Sequence, residues 1–203
     1  MADPHGAHPL KVVLAGGGVA AVEAALALHE LAGELVETTL VAPNTDLVYR
    51  PMSVREPFGY ARAQHYPLAD IAADLGIELV AETVDRVNTR ASIVHTEEGT
   101  EIPFAALLVA LGAATRARYE HAITIDDAHL AETLQQLLHD VAQGAVQRLV
   151  FVIPGRLAWP FPAYEIALMM QAHAAKAGAS LTTTIVSEAP ALAAWACIIS
   201  AIS

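Results

Sequence analysis

The stretch from Lys11 to Leu28, KVVLAGGGVAAVEAALAL, limits what this chain can fold into more than any other. Lys11 to Ala15 is short, apolar and β-branched, which reads as a buried strand. Gly16, Gly17 and Gly18 follow at once, and an Ala/Leu-rich helical run extends from Val19 to Leu28. The spacing is G-x-G-x-x-A, with Gly16, Gly18 and Ala21 in the marked places and Ala20 beside them on the first helical turn. Gly16 allows a tight turn from strand to helix, Gly18 lets the backbone approach a pyrophosphate, and Ala21 keeps the helix close to the strand. The free N–H groups and positive dipole end of the helix then face the phosphates. The plainer reading of the same residues is a glycine turn that holds no ligand.

Length and charge bound the rest. The chain has 203 residues, room for one large domain or two small ones. With 55% hydrophobic residues a sizeable core can form. Eleven basic against 22 acidic residues leave a net charge of −11, which argues against nucleic acid as a partner and offers no polybasic handle for anionic lipid. The single cysteine, Cys197, excludes both an internal disulfide and a C-x-x-C redox pair. MADPHGAHP at the N-terminus has no apolar signal core, and no run of about 20 apolar residues could span a bilayer. The expected location is the cytoplasm, or the periphery of a membrane.

Residues 1–9 read as a disordered leader, with His5 and His8 solvated rather than metal-bound. Thr38 to Val41 is the second strand of the first β-α-β unit. An acid that binds ribose hydroxyls is expected at its end. Ala42 stands there instead, followed by Pro43 and by Asn44, a side chain able to hydrogen-bond a ribose. Asp46 to Tyr60 is long and non-periodic and reads as a functional loop or a plain surface loop, with Arg50 and Arg55 as its cations. His65 to Leu75 reads as a short helix ended by Gly76, and Glu78 to Ala81 as a strand.

Val84–Val87, Ser92–His95 and Glu101–Pro103 suggest a small antiparallel set. Ala105 to Ala114 reads as a buried strand leading through Gly112 into a close turn. Ala128 to Val141 is an amphipathic helix that Asp126 or Asp127 could cap. His121, His129 and His139 have no metal spacing, so no metal site is expected. Arg148–Ile153, Phe161–Ala177 and Leu181–Val186 form a second β-α-β unit, the first strand read as buried. Its turn, Pro154 to Pro160, holds one glycine and two prolines, with Trp159 where a pyrophosphate would lie. The expected class is therefore α/β, a Rossmann-like dinucleotide-binding fold with parallel sheets, helices on both faces and a small antiparallel ribbon.

Four groups of residues carry a resemblance: Gly16-x-Gly18-x-x-Ala21; Tyr49-Arg50-Pro51; Leu107 to Ala113, with Leu111 where an A-T-G-A turn has Thr; and Pro162-Ala163-Tyr164-Glu165. In this order the chain resembles the FAD-dependent pyridine nucleotide-disulfide oxidoreductase-like flavoproteins, in the branch of the NADH:quinone and sulfide:quinone oxidoreductases. The resemblance implies FAD on the first unit, with Gly16, Gly17, Gly18, Ala20 and Ala21 shaping the pyrophosphate site. It implies Asn44, Arg50 and Pro51 near the flavin or adenine, and the turn from Ala110 to Gly112 approaching from the side. Tyr164 and Glu165 are the candidates for a catalytic role beside the nicotinamide or flavin; their plainer role is an ordinary helix start.

The implied domains are 10–114, the first part of an FAD-binding domain, and 115–203, a partial NAD-type domain incomplete at its C-terminus. The missing glycines at 154–160 argue against NAD(P)H binding, and Cys197 alone argues against disulfide reduction. The apolar end, Ala189 to Ser203, suggests a premature stop, a frameshift or an incomplete chain. The resulting expectation is an FAD-dependent oxidoreductase, or the N-terminal portion of one, passing electrons from a small-molecule donor to an acceptor such as a quinone. The alternatives are a non-catalytic nucleotide-binding remnant and an NAD(P)-dependent dehydrogenase. A half-built domain would leave apolar surface open to self-association.

Overall fold

The computed structural model describes residues 8–60, 62–125, 130–155 and 160–188, with the side chains of 50–52 left aside. The leader histidine His5, the cap candidates Asp126 and Asp127, His129, Trp159, Cys197 and the apolar end fall outside those residues. The chain forms two compact units: residues 1–49 with 64–115, and residues 50–63 with 116–203.

The first unit is built on a four-stranded parallel sheet. Strand β1 (Leu10–Ala15) leads into helix α1 (Val19–Ala32), and β2 (Val36–Val41) returns alongside β1 in the register Leu10↔Val36 to Ala15↔Val41. Strands β3 (Asp46–Tyr49) and β4 (Gln64–Pro67) pair antiparallel, helix α2 (Leu68–Leu75) follows, and β5 (Glu78–Val80) joins β2. Strands β6 (Val84–Asn88), β7 (Ile93–Thr96) and β8 (Glu101–Pro103) make an antiparallel ribbon, and β9 (Ala106–Val109) returns to β1. The sheet order is β5-β2-β1-β9.

Alternation along β1 and β2 supplies both faces of that sheet. Val12, Leu14, Leu40 and Ala42 pack with Ala21, Val22 and Ala25 of α1 and with Leu68 of α2. Val13 and Val41 point the other way, onto Val94 and Ile102 of the ribbon. The α/β class with parallel sheets, helices and a small antiparallel ribbon is present; on the second face of this sheet the covering layer is the ribbon, where helices were expected. The ribbon does what a helix would do there, since its own alternating strand buries Val94 and Thr96.

The second unit has helix α3 (Leu130–Ala142), strand β10 (Arg148–Ile153), helix α4 (Phe161–Ala177) and strand β11 (Thr182–Ser187). β10 and β11 run parallel from Arg148↔Thr182 to Ile153↔Ser187. Leu130, Leu134 and Leu138 of α3 meet Ile166 and Met170 of α4 and Val54 of the 3-10 helix Arg50–Phe58. Gln171 on α4 donates to the Leu181 carbonyl at 3.0 Å and to Thr183 Oγ1 at 3.1 Å, which ties the helix to β11.

Four sequence expectations change. Asp46–Tyr60 is not a loop throughout but a strand and a 3-10 helix, because its strand is completed by a partner 15 or more residues away in the chain. His65 to Pro67 is strand rather than helix: a residue before proline is driven out of the helical region, so α2 begins only at Leu68. The apolar run at Ala105–Ala114 is not buried. Among the described residues β9 pairs only with β1, and Leu108, Val109 and Leu111 are exposed. β10 is half-exposed, since Leu149 and Phe151 turn to the helices while Val150 and Val152 turn to solvent.

Candidate functional site

The glycine turn lies where the C-terminal ends of β1 and β2 meet the start of α1. The Gly16 N–H donates to the Val41 carbonyl at 2.8 Å, and the Ala110 N–H donates to the Ala15 carbonyl at 2.7 Å. These bonds bring the chain after β9 directly against the turn. Gly16 has φ +125°, and a Cβ there would collide with the Ala110 carbonyl, whose carbon would be 2.6 Å away. Its glycine is thus required twice, by backbone conformation and by the closeness of a neighbouring main chain. The sequence motif predicts the turn; the approach of Ala110 is a tertiary fact that the motif does not contain.

Gly17 is packed. A Cβ on it would meet Leu68 Cδ1 at 2.8 Å and the Ala42 Cβ at 2.9 Å, with the Asn44 Cβ at 3.9 Å. Leu68, the first residue of α2, is fully buried here, and sequence reasoning did not single it out. The signal was available: the first apolar position after Pro67 starts a helix with a strong apolar stripe. Gly18 contrasts with both. It is the N-cap of α1, extended at φ −87° and ψ −179°, and a Cβ on it would meet nothing within 4 Å.

The first turn of α1 carries no acid and no side-chain cap. Ala21 and Val22 donate back to the Gly18 carbonyl at 3.0 and 3.1 Å, so the N–H groups of Val19 and Ala20 ahead of them are the ones free to face outward. Val19 and Ala20 are exposed, and Ala21 is fully buried against the sheet. The position that an acid would hold at the end of β2 is Ala42, buried, its N–H donating to the Val80 carbonyl at 3.0 Å. Asn44 is exposed two residues beyond it. Gly112 is exposed at φ +77° in the chain after β9.

The structure therefore brings together Gly16, Gly17, Gly18, Ala20, Ala21, Asn44 and Ala110 within the first unit. It puts Arg50 and Pro51 at the start of the 3-10 helix, in the second unit, with their side chains outside the described part. Tyr164 and Glu165 also lie in the second unit, on the first turns of α4. Glu165 is held: Arg55 Nε donates to its Oε1 at 2.6 Å. Lys176 near the other end of α4 donates to the Tyr60 hydroxyl at 2.8 Å, and its ammonium lies 4.9 Å from the centre of that ring. Arg55 and Tyr60 thus anchor the 50–63 segment along α4, and the acid expected to face a cofactor serves that anchoring. Among the described residues no group of three or more His, Cys, Asp or Glu is placed to hold a metal ion, and no helix is long and apolar enough to cross a membrane.

A parallel sheet, a glycine turn and an open helix N-terminus define the dinucleotide-binding α/β class. Residues 4–143 match the family model described as pyridine nucleotide-disulphide oxidoreductase, and the chain belongs to that family. It is similar to the sulfide-quinone reductase of Aquifex aeolicus (strain VF5), 27% identical over 173 residues that cover 82% of this chain and 40% of that protein. The crystal structure of the sulfide:quinone oxidoreductase from the hyperthermophilic bacterium Aquifex aeolicus superposes with a TM-score of 0.78 at 25% identity, over 89% of this chain and 44% of that one. Putidaredoxin reductase, in its covalent complex with putidaredoxin, shares the fold at a TM-score of 0.59 and 23% identity, over 87% and 42% of the two chains. The chain thus spans less than half the length of these relatives.

Proposed function

We propose that this chain is the flavin-holding N-terminal portion of an FAD-dependent oxidoreductase that moves an electron pair from a small-molecule donor to an acceptor such as a quinone. The observation that carries the reading is the glycine turn, packed shut at Gly16 and Gly17 and open at Gly18 beside the uncapped start of a 14-residue helix. Such a cradle fits a pyrophosphate: uncrowded at one glycine, uncharged at Ala42, and lined by outward N–H groups. The bound flavin would supply the redox chemistry itself. The protein's own contribution is binding and orientation. Val19 and Ala20 offer N–H groups to the phosphates, and Asn44 offers an amide to a ribose. The main chain at Ala110, which lies against Gly16, would border the cradle on one side, with Gly112 just beyond it.

A quinone acceptor is supported by the name of the Aquifex relative; the location that goes with this reading is the cytoplasm or the surface of a membrane. The second reading is a nucleotide-binding portion that catalyses nothing alone, and the coverage of only 40% of that relative favours it for the isolated chain. Absorbance and fluorescence spectra of the purified 203-residue chain, before and after heat release of any chromophore, separate the two. Released FAD, or uptake of added FAD, supports the flavin site. A colourless protein that fails to take up FAD overturns it.

A further inference from the structure

The first unit has a second concave site, away from the glycine turn. The turn closes the C-terminal ends of β1 and β2, whereas a cavity of about 400 Å³ opens near their N-terminal ends, where the last turns of α1 and α2 come together. Val36 and Thr38 of β2 line it from the sheet, and Leu75 and Ile77 line it from the end of α2. His29, on the last turn of α1, bridges the two helices. Its Nδ1 donates to the Leu75 carbonyl at 3.1 Å, which leaves Nε2 as an acceptor on the neutral ring.

The lining favours positive charge. It includes Glu34, Glu37 and Glu78 and neither lysine nor arginine. Glu78 is already engaged, accepting from Thr39 Oγ1 at 3.2 Å, and Glu37, two residues before Thr39 on the same strand, turns to that same face of the sheet. Glu34, in the 3-10 turn after α1, is the acid left for a ligand. Both helices also end here, and helix C-termini present orphan carbonyls and the negative end of the dipole. Thr38 is the independent sign of a ligand. It is only 7% exposed, yet no hydrogen bond ties its hydroxyl to the other described residues. It shares a face with Val36 and Leu40, toward the helices, and lines the cavity. A hydroxyl at that depth is ordinarily bonded. Among the described residues no three His, Cys, Asp or Glu are placed to hold a metal ion, and Val36, Leu75 and Ile77 give the cavity apolar walls, so the cation that fits is organic.

We propose that this cavity binds a small organic cation, a protonated amine carried on an apolar body. The ammonium donates to the Glu34 carboxylate, the Thr38 hydroxyl and His29 Nε2, while the apolar body lies on Val36, Leu75 and Ile77. The site is independent of the glycine turn at the other end of the strands, and its test needs no flavin.

The test is titration of the 203-residue chain with benzylamine at neutral pH, followed by the amide NMR signals of Gly33, Gly76 and Ile77, which line the cavity. Benzyl alcohol, of the same shape without the charge, and benzoate, of the opposite charge, are the controls. The variants are Glu34→Gln, an exposed change that removes the charge, and Thr38→Val, which keeps the shape and removes only the hydroxyl. Far-UV circular dichroism on heating shows that each is folded. Thr38→Val should be no less stable than the natural chain, because its hydroxyl has no bond to lose. The expected result is saturable shifts at those three amides with benzylamine, binding that is weaker by about threefold or more in each variant, and weaker binding still of both controls. Shifts confined to other residues, benzyl alcohol or benzoate binding as tightly as benzylamine, or a folded variant that binds as well as the natural chain would each overturn the proposal.

Discussion

Gly16 and Gly18 are the two glycines that the motif marks, and they meet opposite surroundings. Gly16→Ala must place a methyl group against the Ala110 carbonyl from a backbone at φ +125°. Strain at such a backbone and forced packing each cost about 1–3 kcal/mol. Chemical denaturation of the variant is expected to show a loss of about 2 kcal/mol or more, together with loss of any bound FAD. Gly18→Ala puts its methyl into open space at an ordinary φ, so its stability should stay within about 0.5 kcal/mol. Weaker FAD retention in that variant, measured by absorbance after dialysis, would then report the ligand rather than the fold. An unstable Gly18→Ala protein would show that this glycine also has a structural duty. Both glycines were legible from the spacing alone. That one is packed and the other open was not, because the neighbour that decides it, the main chain at Ala110, comes from a distant part of the chain.

The 50–63 segment and the two long helices of the second unit form one packing problem. Leu134 is nearly fully buried on α3, in the core that contains Val54, Ile166 and Met170. Leu134→Ala should therefore cost about 2–5 kcal/mol, read as a lower denaturation midpoint with an unchanged slope. The Arg55–Glu165 pair sits at the surface, its side chains 50% and 33% exposed. Exposed pairs of this kind contribute about 0.2–1 kcal/mol, so Glu165→Gln should lower stability by no more than that and leave flavin content unchanged. A large loss of flavin in Glu165→Gln would restore the cofactor-facing role that its position at the start of α4 suggested. The helices themselves were readable at this scale. Leu130, Leu134, Leu138 and Val141 repeat at helical spacing, and Gly76 and Gly178 end α2 and α4 in left-handed caps. The β3–β4 pair was not, since a four-residue strand has too little alternation to announce itself without its partner.

For the whole chain, the acidic balance of −11 and the exposed apolar strand β9 act in opposite senses. Net charge keeps molecules apart, whereas an open strand edge with Leu108, Val109 and Leu111 exposed offers a template for pairing. Self-association that grows with concentration and with salt is expected in analytical ultracentrifugation. Val109→Lys, which places a charge on that edge, should reduce it. Association unchanged by Val109→Lys would move the contact to another surface, such as Val150, Val152 and Val186 of the second unit. The same surfaces explain why the apolar runs at 105–114 and 148–153 misled the reading of burial. Apolar composition marks a strand that some surface could cover, but whether it is covered depends on which layers pack on each sheet.

The local grammar of this protein was determined by its sequence: a strand, a glycine turn and a helix at the spacing a pyrophosphate requires, a second β-α-β unit without that turn, and helix ends at glycines. These are short-range effects, set by backbone sterics and by the period of apolar residues, so they are visible in a window of a few residues. Only the tertiary structure decided that Ala110 closes on Gly16, that a ribbon rather than a helix covers the first sheet, that the 50–63 segment belongs to the core of the second unit, and that Thr38 lines a cavity between the ends of α1 and α2. Each of these joins residues distant in the chain. Their meeting depends on how buried faces match and on which backbone groups find partners, quantities that exist only once the chain has folded.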